Sequence, residues 1–164
     1  MKMNAYVAGV GMTRFGKHME TTLKALAGEA IAEALADAGI GAGAIEAAYM
    51  ANAAGGVVQG QEMISGQVAL RELGIGRIPV INLENACASS STAFNQAATM
   101  VSLGACDVAL VCGFEKLFHE DKRRTFAAFD GAVDTENPQG LAGTLQILAE
   151  KAGEEVDQEN AGVT

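Results

Sequence analysis

Tryptophan is absent from this sequence, and aromatic residues of all kinds make up only 5% of it. A binding surface built mainly from aromatic side chains is therefore not expected. Hydrophobic residues account for 49% of the 164 residues, and 20 of the residues are glycine. This composition is typical of tightly packed α/β layers, and the chain is long enough for one domain with a substantial core.

Basic residues are also scarce, because 11 Lys and Arg stand against 20 Asp and Glu. The formal charge of −9 argues against nucleic acids and anionic membranes as general partners. We recognise neither a basic segment followed by an apolar one at the start of the chain nor an apolar run of membrane-spanning length. We therefore expect a cytoplasmic protein with neither a nucleic-acid partner nor a membrane partner.

The sequence contains three cysteines, Cys87, Cys106 and Cys112, and no C-x-x-C pair. This spacing predicts neither a disulfide framework nor a zinc site, so we expect no metal, and it fits a reducing compartment. Cys106 and Cys112 stand an even number of residues apart on a predicted strand. We expect them to face the same side of a sheet and to have no chemical role.

Predicted strands alternate with predicted helices along the chain. Apolar residues at helical spacing, capped by Thr21 or Thr22 and ended by Gly39, predict the clearest helix. The other predicted strands cover residues 5–11, 45–52, 77–83 and 106–112. The other predicted helices cover residues 61–73 and the stretch from Cys87 to Leu103, and a last helix ends at Gly153. Such alternation indicates an α/β fold with a parallel, doubly wound sheet.

Two glycine-rich stretches were considered as ligand sites. Gly9 and Gly11 resemble the start of a dinucleotide-binding turn, but Arg14 replaces the third glycine, so the fingerprint fails. The loop 53–60 follows a predicted strand, and ligands gather beyond the carboxyl ends of strands in open α/β sheets. This loop is either a wall of an active site or a plain connection. His18 has no cysteine or carboxylate at a local spacing that would orient it, so we interpret it as a solvated loop residue.

Cys87 lies at the junction between the strand predicted over residues 77–83 and the helix that follows. At the start of a helix, unpaired N–H groups and the helix dipole favour a thiolate, which is the nucleophilic form of cysteine. The same N–H groups can receive an oxyanion during acyl transfer. No charged residue occurs in residues 85–106, which predicts a helix buried on every side. The alternative is that Cys87 is one more buried free cysteine.

Four segments of the sequence together resemble the thiolase superfamily, within it the sterol-carrier-protein-x type of thiolase and its acetyl-CoA acetyltransferase-like relatives. The segments are Ala8-Gly9-Val10-Gly11-Met12-Thr13-Arg14-Phe15, Asn85-Ala86-Cys87-Ala88-Ser89-Ser90-Ser91, Asp107-Val108-Ala109-Leu110-Val111-Cys112-Gly113 and Phe114-Glu115-Lys116. Their order and spacing match the N-terminal half of that family. The resemblance implies a thiolase-like N-terminal half, with a mixed, mainly parallel sheet covered by helices, in which Cys87 takes the acyl group as a thioester.

The resemblance also implies how the chain is divided. Residues 1–113 would form the N-terminal core, and residues 114–164 would begin the loop (lid) region that covers the active site and helps to hold coenzyme A. Lys122, Arg123 and Arg124 form a basic triplet in this region and would meet the phosphates of coenzyme A. The alternative is a solvated helix face in which these residues pair with Glu120 and Asp121.

The activity implied is that of an acyl-CoA thiolase, or acetyl-CoA C-acyltransferase, of lipid metabolism, with coenzyme A as substrate or product. In that family the C-terminal half supplies a histidine that activates the nucleophile and a second cysteine or equivalent acid/base. His119 does not occupy the place of that histidine. We therefore expect this chain alone to be inactive, and to act with a complementary C-terminal half or as a homodimer or tetramer. The alternative is a non-catalytic or scaffold subunit, or a split partner, of a thiolase-like or thiolase-related aldolase assembly.

Overall fold

The computed structural model describes residues 3–153, apart from the side chain of Pro138. These residues form two compact units, one that extends through Leu117 and one that begins at Phe118. The elements are α1 (Leu23–Ala38), β1 (Ala47–Ala51), α2 (Gly55–Gln59), α3 (Ser65–Arg71), β2 (Val80–Leu83), α4 (Ser89–Ser102), β3 (Ala109–Gly113), α5 (Lys122–Asp130) and α6 (Pro138–Ala152). The assignment of residues 1–113 to a core and of residues 114–164 to a loop region stays a prediction.

The first unit is built on three parallel strands in the order β2-β1-β3. Met50 in β1 is paired in register with Asn82 on one side and with Cys112 on the other. Parallel strands need crossover connections, which α2 and α3 supply between β1 and β2 and which α4 supplies between β2 and β3. The α/β fold class predicted from the alternation of elements is therefore confirmed.

The helices cover both faces of this sheet. On one face, α1 and α3 pack on β1 and β3 around large buried side chains, among them Ile31, Met50 and Leu70. On the other face, α4 packs on the sheet through Ala93 and Ala97, which meet Tyr49 and the small residues of β1. The carboxyl ends of the strands lie at one edge of the sheet, because all three strands run in the same direction.

The ends of α1 confirm the predicted signals. The Thr22 hydroxyl accepts a hydrogen bond from the Ala25 N–H at 3.2 Å, as an N-cap residue does. Gly39 ends the helix in the left-handed conformation, with φ of 68°, and its N–H bonds the last turn.

Among the described residues, α4 is buried on one side and not on every side. Ser89, Ala93 and Ala97 form a buried stripe at helical spacing, whereas Phe94, Met100 and Leu103 are exposed. The described residues place the sheet against a single face of this helix. An uncharged sequence shows that a helix can be buried, but it does not show how many neighbours the helix has.

The strand predicted over residues 5–11 is not formed. The segment lies against α1 instead, where the N–H groups of Val10 and Met12 donate to the carboxylates of Asp37 and Glu33 at 2.9 and 2.8 Å. Gly11 lies so close to this helix that a Cβ atom on it would be 2.1 Å from the Ala30 carbonyl oxygen. The two glycines therefore permit close packing, as expected, but of a segment that has no strand partner among the described residues.

Two further predictions need correction. The loop 53–60 contains the short helix α2, because Ala54 to Gly60 close a turn of helical hydrogen bonds. Cys106 and Cys112 do not share a face of the sheet, since β3 begins only at Ala109. Cys106 packs on the side of the sheet covered by α4, whereas Cys112 lies in the core beneath α1 and α3.

The second unit contains α5 and α6 among its described residues. Asp121 caps the start of α5 by accepting from the Arg123 N–H, and Asn137 caps α6 by accepting from the Gly140 N–H. The acidic residues 154–160, which follow the predicted helix, lie outside the described residues. Within residues 3–153, no helix combines the length and the apolar character that crossing a membrane requires.

Candidate active site

The structure places Cys87 in a tight turn between β2 and α4. We call residues 84–89 the nucleophile turn, because they include Cys87 and connect the end of β2 to the first residue of α4. A single 3-10 turn covers Ala86–Ala88, and α4 follows at once. Ala86 has a φ of 45°, a left-handed conformation that is uncommon for residues other than glycine. The backbone immediately before Cys87 is therefore strained.

Two side chains hold the strained residue. The Ser89 hydroxyl accepts a hydrogen bond from the Asn85 N–H at 2.8 Å and donates one to the Ala86 carbonyl at 2.7 Å. The Glu84 carboxylate accepts from the Ala86 N–H at 2.6 Å. Both peptide groups that flank the Ala86 Cα atom are thus hydrogen-bonded to side chains of the turn.

The start of α4 is also close to the end of β3. A Cβ atom on Gly113 would lie 2.1 Å from the Ser90 hydroxyl oxygen, so only glycine lets the helix approach this closely. The nucleophile turn is consequently fixed between the carboxyl ends of two strands, at the edge where parallel sheets bind ligands.

Cys87 itself is exposed, so the alternative of a buried structural cysteine is wrong. The Ala88 N–H donates to the Asn85 carbonyl at 2.9 Å. By contrast, the Cys87 N–H has no acceptor among the residues that the structure describes. An exposed thiol and a backbone donor available in the same residue are what attack on a carbonyl and capture of the resulting oxyanion require.

The other two cysteines have environments that oppose ionisation. Burial raises the pKa of the Cys112 thiol to about 12. Burial, and secondarily the charges of Glu46 and Asp107, also raise the pKa of Cys106. A thiol is a poor nucleophile until it loses its proton, so these environments disfavour a nucleophilic role for Cys106 and Cys112 at neutral pH.

A cleft of about 280 Å³ opens beside the nucleophile turn. It lies beyond the carboxyl ends of β1 and β2 and includes Glu84 of the turn. The remaining lining residues are Asn52, Ala53, Gly56, Val57, Gln61, Glu62, Ile64, Ser65, Asn82 and Leu83. Three residues of the stretch 53–60, namely Ala53, Gly56 and Val57, thus line a cleft that also includes Glu84 of the nucleophile turn.

Glu115 and Asn52 are functional candidates that the sequence analysis missed. The Glu115 carboxylate accepts from the N–H groups of Ala53 and Ala54 at 2.8 and 3.0 Å. The Asn52 amide donates to the Phe114 carbonyl at 2.5 Å and accepts from the Gly55 N–H at 2.8 Å. These bonds tie the loop after β1 to the segment after β3. The segment Phe114-Glu115-Lys116 carried the resemblance to a family, but an acidic residue after a strand does not reveal which amides it will bind.

The two histidines each make a hydrogen bond within their own segment. The His18 ring bonds the Arg14 carbonyl within its own loop, and His119 accepts from the Asp121 N–H at 3.0 Å through Nδ1. Each side chain thus has a hydrogen-bond partner close to it in the sequence.

The basic triplet belongs to the second unit. Lys122 lies 3.5 Å from the centre of the Phe118 ring, a cation–π contact. The Arg123 guanidinium makes two hydrogen bonds of 2.9 Å to Asp121 and lowers the pKa of that carboxyl to about 2. The expected pairing with Asp121 is therefore present for Arg123, and a role of Lys122, Arg123 and Arg124 in holding coenzyme A stays a prediction.

The fold and the turn define an α/β protein that presents one cysteine in a strained connection at the carboxyl edge of a parallel sheet. The chain belongs to the thiolase family, since the sequence model described as "Thiolase, N-terminal domain" matches residues 5–152.

Curated proteins with related sequences carry consistent names. Benzoylsuccinyl-CoA thiolase subunit BbsB of Thauera aromatica is 32% identical over 154 residues, which cover 92% of this chain and 38% of that protein. Sterol carrier protein 2 of Gallus gallus is 36% identical over 155 residues, which cover 93% and 26%. Acetyl-CoA acetyltransferase of Methanocaldococcus jannaschii is 40% identical over 111 residues, which cover 68% and 28%. The chain thus spans 26–38% of the length of these three relatives.

Solved structures agree on the fold. The structure of 3-oxoacyl-[acyl-carrier-protein] synthase III from Aquifex aeolicus superposes with a TM-score of 0.53 and 22% sequence identity. The match covers 60% of this chain and 31% of that one. At this identity the likeness bears on the fold alone.

Proposed function

We propose that this chain carries the acyl-accepting cysteine of a thiolase-type acyltransferase and that Cys87 forms a thioester with the acyl group of an acyl-CoA. The observation that carries the proposal is the exposed Cys87, in the strained turn ahead of α4, with its own N–H free of acceptors among the described residues. Membership of the thiolase family supplies the reaction class.

The proposed reaction begins when the Cys87 thiolate attacks the carbonyl carbon of the acyl-CoA thioester. A bond forms between Sγ and that carbon, and the carbonyl electron pair moves to the oxygen, which the Cys87 N–H stabilises. When the carbonyl re-forms, the bond from carbon to the sulfur of coenzyme A breaks, and coenzyme A leaves as a thiolate that takes up a proton. The acyl group then passes to another coenzyme A, or to a carbanion derived from a second acyl-CoA.

We further propose that the complete reaction needs groups outside this chain. The hydrogen bonds of His18 and His119 each run to a residue of the histidine's own segment. General-base activation contributes on the order of 10²–10⁴-fold to such reactions. We infer a complementary thiolase C-terminal half as the partner that supplies the base, in a cytoplasmic dimer or tetramer, with Lys122, Arg123 and Arg124 as contacts for the phosphates of coenzyme A.

A second candidate function is that of a subunit in a larger thiolase-like or aldolase assembly, without catalysis of its own. The relative from Thauera aromatica, whose match covers 92% of this chain, is named as a thiolase subunit, which favours an assembly of more than one chain. The two proposals differ in whether Cys87 becomes acylated.

The test is to incubate the purified chain with excess acetyl-CoA, quench it in acid, and measure intact mass and peptide masses. We expect one acetyl group per chain, on the peptide that contains Cys87, and no steady release of coenzyme A. Addition of a thiolase C-terminal half from the same genome should start turnover. Cys87→Ala should abolish the adduct, and Cys106→Ala, the matched control, should retain it. A chain that stays unmodified both alone and with its complement would favour the subunit without catalysis.

A further inference from the structure

Among the described residues, Ser89 is the one polar residue that is buried, since only 5% of its surface is exposed. It lies two residues after Cys87 and is the first residue of α4. Its hydroxyl makes no bond to the helix. Both of its hydrogen bonds run back into the nucleophile turn, to the Asn85 N–H at 2.8 Å and to the Ala86 carbonyl at 2.7 Å. The bond to the Ala86 carbonyl is an i to i−3 bond of the kind that serines make at a helix start, whereas the bond from the Asn85 N–H reaches outside the helical turns.

These two bonds bracket the strained residue. A non-glycine residue in a sparsely populated backbone conformation costs on the order of 1–3 kcal/mol, and it persists only where its surroundings enforce it. The Ser89 hydroxyl holds the peptide group after the Ala86 Cα atom through its carbonyl, and Glu84 holds the peptide group before it through the Ala86 N–H. The bond from the Asn85 N–H fastens the Ser89 hydroxyl to the preceding residue. The orientation of the next peptide N–H, that of Cys87, follows directly from the Ala86 dihedral angles.

We propose that Ser89 is a positioning residue, which holds Ala86 in its left-handed conformation and thereby aims the Cys87 N–H at the oxyanion formed during acylation. This inference rests on the function proposed above, in which Cys87 takes an acyl group from an acyl-CoA. Ser89 acts through the backbone and touches neither the substrate nor the reacting sulfur.

The proposal is tested by comparing two reactions of the same thiol. Acylation by acetyl-CoA passes through an oxyanion and needs the aimed N–H, whereas alkylation by iodoacetamide displaces iodide and forms no oxyanion. We expect Ser89→Ala to slow acylation of Cys87 at least tenfold and to change its alkylation rate by less than about threefold, given that loss of one oxyanion donor costs roughly 10²–10³-fold. Ser91→Ala is the matched control, because that hydroxyl bonds the Ala88 carbonyl at 3.0 Å and not the groups around Ala86. It should leave both rates unchanged.

A second pair of variants separates aiming from folding. Ala86 is exposed, so Ala86→Val leaves the buried hydroxyl in place while a β-branched side chain disfavours the same conformation. Ala86→Val should therefore slow acylation of Cys87 selectively, as expected for Ser89→Ala. Ala86→Gly in the Ser89→Ala background should recover part of the rate, because glycine adopts a positive φ without a steric penalty.

Each outcome bears on one of the two proposals. Equal slowing of acylation and alkylation in Ser89→Ala, or no slowing of either, would overturn the positioning role while wild-type acylation upheld the proposed function. A wild-type chain that is alkylated at Cys87 but never acylated, with or without a C-terminal half, would overturn the proposed function and this inference with it. Labelling of buried Cys112 in Ser89→Ala reports loss of the fold in that variant, and in that case the result for Ala86→Val, with Cys112 still protected, decides.

Discussion

The two faces of the central sheet are packed in different ways. Beneath α1 and α3, the buried residues include large side chains as well as alanines, and Ile31, Met50 and Leu70 are almost completely enclosed. Beneath α4, apart from Tyr49, the fully buried residues are alanines. The first face holds its helices at the distance that large side chains impose, whereas the second lets a helix approach the strands closely.

This difference explains why the nucleophile turn lies on the α4 side. A helix that contacts the sheet through Ala93 and Ala97 can bring its first turn against the end of β3, where Gly113 leaves room for Ser90. The backbone of the turn is then fixed on both sides of Cys87. We infer that the large residues of the first face stabilise the fold and that the small residues of the second face position the chemistry.

The strongest test of this comparison is Met50→Ala. The Met50 side chain is fully buried beneath α3, where a Cβ atom on Gly66 would lie 2.5 Å from the Met50 Cβ. Removing it leaves a cavity in a core that cannot collapse, so we expect a loss of about 2–5 kcal/mol in the free energy of unfolding. Urea denaturation followed by circular dichroism gives the value. Val57→Ala, at a position that is 52% exposed, should change it by less than about 0.5 kcal/mol. A loss below 1 kcal/mol for Met50→Ala would contradict the assignment of stability to this face.

A smaller effect is expected when the close approach on the other face is opposed. Ala93 is completely buried between α4 and the sheet, so Ala93→Leu must displace the helix or adopt a strained side-chain conformation. Overpacking of this kind costs about 1–3 kcal/mol, which the same urea titration measures.

Asn95→Leu provides the control for Ala93→Leu, because it places an identical side chain on the same helix at an exposed position. It should be nearly neutral. If the acylation of Cys87 slows in Ala93→Leu but not in Asn95→Leu, the link between close packing and the nucleophile turn is sharpened. If Ala93→Leu is as stable as the wild-type chain, α4 is not closely packed and the comparison between the two faces fails.

Much of the first unit could be predicted because its signals are local. The helical spacing of apolar residues, the Thr22 cap and the glycine stops at Gly39 and Gly104 each depend on a few neighbouring residues. The segment 5–11 was predicted as a strand because it has the composition of one. A strand also needs a neighbour with which to pair, and the sequence of the segment does not contain that information. Its amides bind acidic side chains of α1 instead.

The candidate site divides in the same way. Cys87 was found because the change from an apolar strand to a helix of small residues can be read locally. Ser89 and Glu115 were not found, because the amides they bind become neighbours only when Ala86 turns left-handed and when β1 and β3 lie side by side. The misplacement of Cys106 has a similar origin, since residues 106–112 are apolar apart from Asp107, whereas pairing with β1 begins only at Ala109.

The smallest predicted effect is a dependence of stability on alkaline pH that comes from the core beneath α1 and α3. Burial raises the pKa of Cys112 from 9.0 to about 12 in the folded chain. Because the folded value is the higher one, the contribution of this thiol to stability is complete below pH 9 and is lost as the pH rises toward 12. At pH 10 the Cys112 thiol is ionised mainly in the unfolded state. This ionisation stabilises the unfolded state relative to the folded state by about 1 kcal/mol, given roughly 1.4 kcal/mol for each pKa unit. Between pH 7 and pH 10, the free energy of unfolding should therefore fall by about 1 kcal/mol less in Cys112→Ala than in the wild-type chain. Urea denaturation in a thiol reductant measures this difference. The pH 7 value of the variant is its own control for the loss of side-chain packing. An identical loss in both proteins over this interval would show that water reaches Cys112 and that the core on this face is less tightly closed than the face that carries α4.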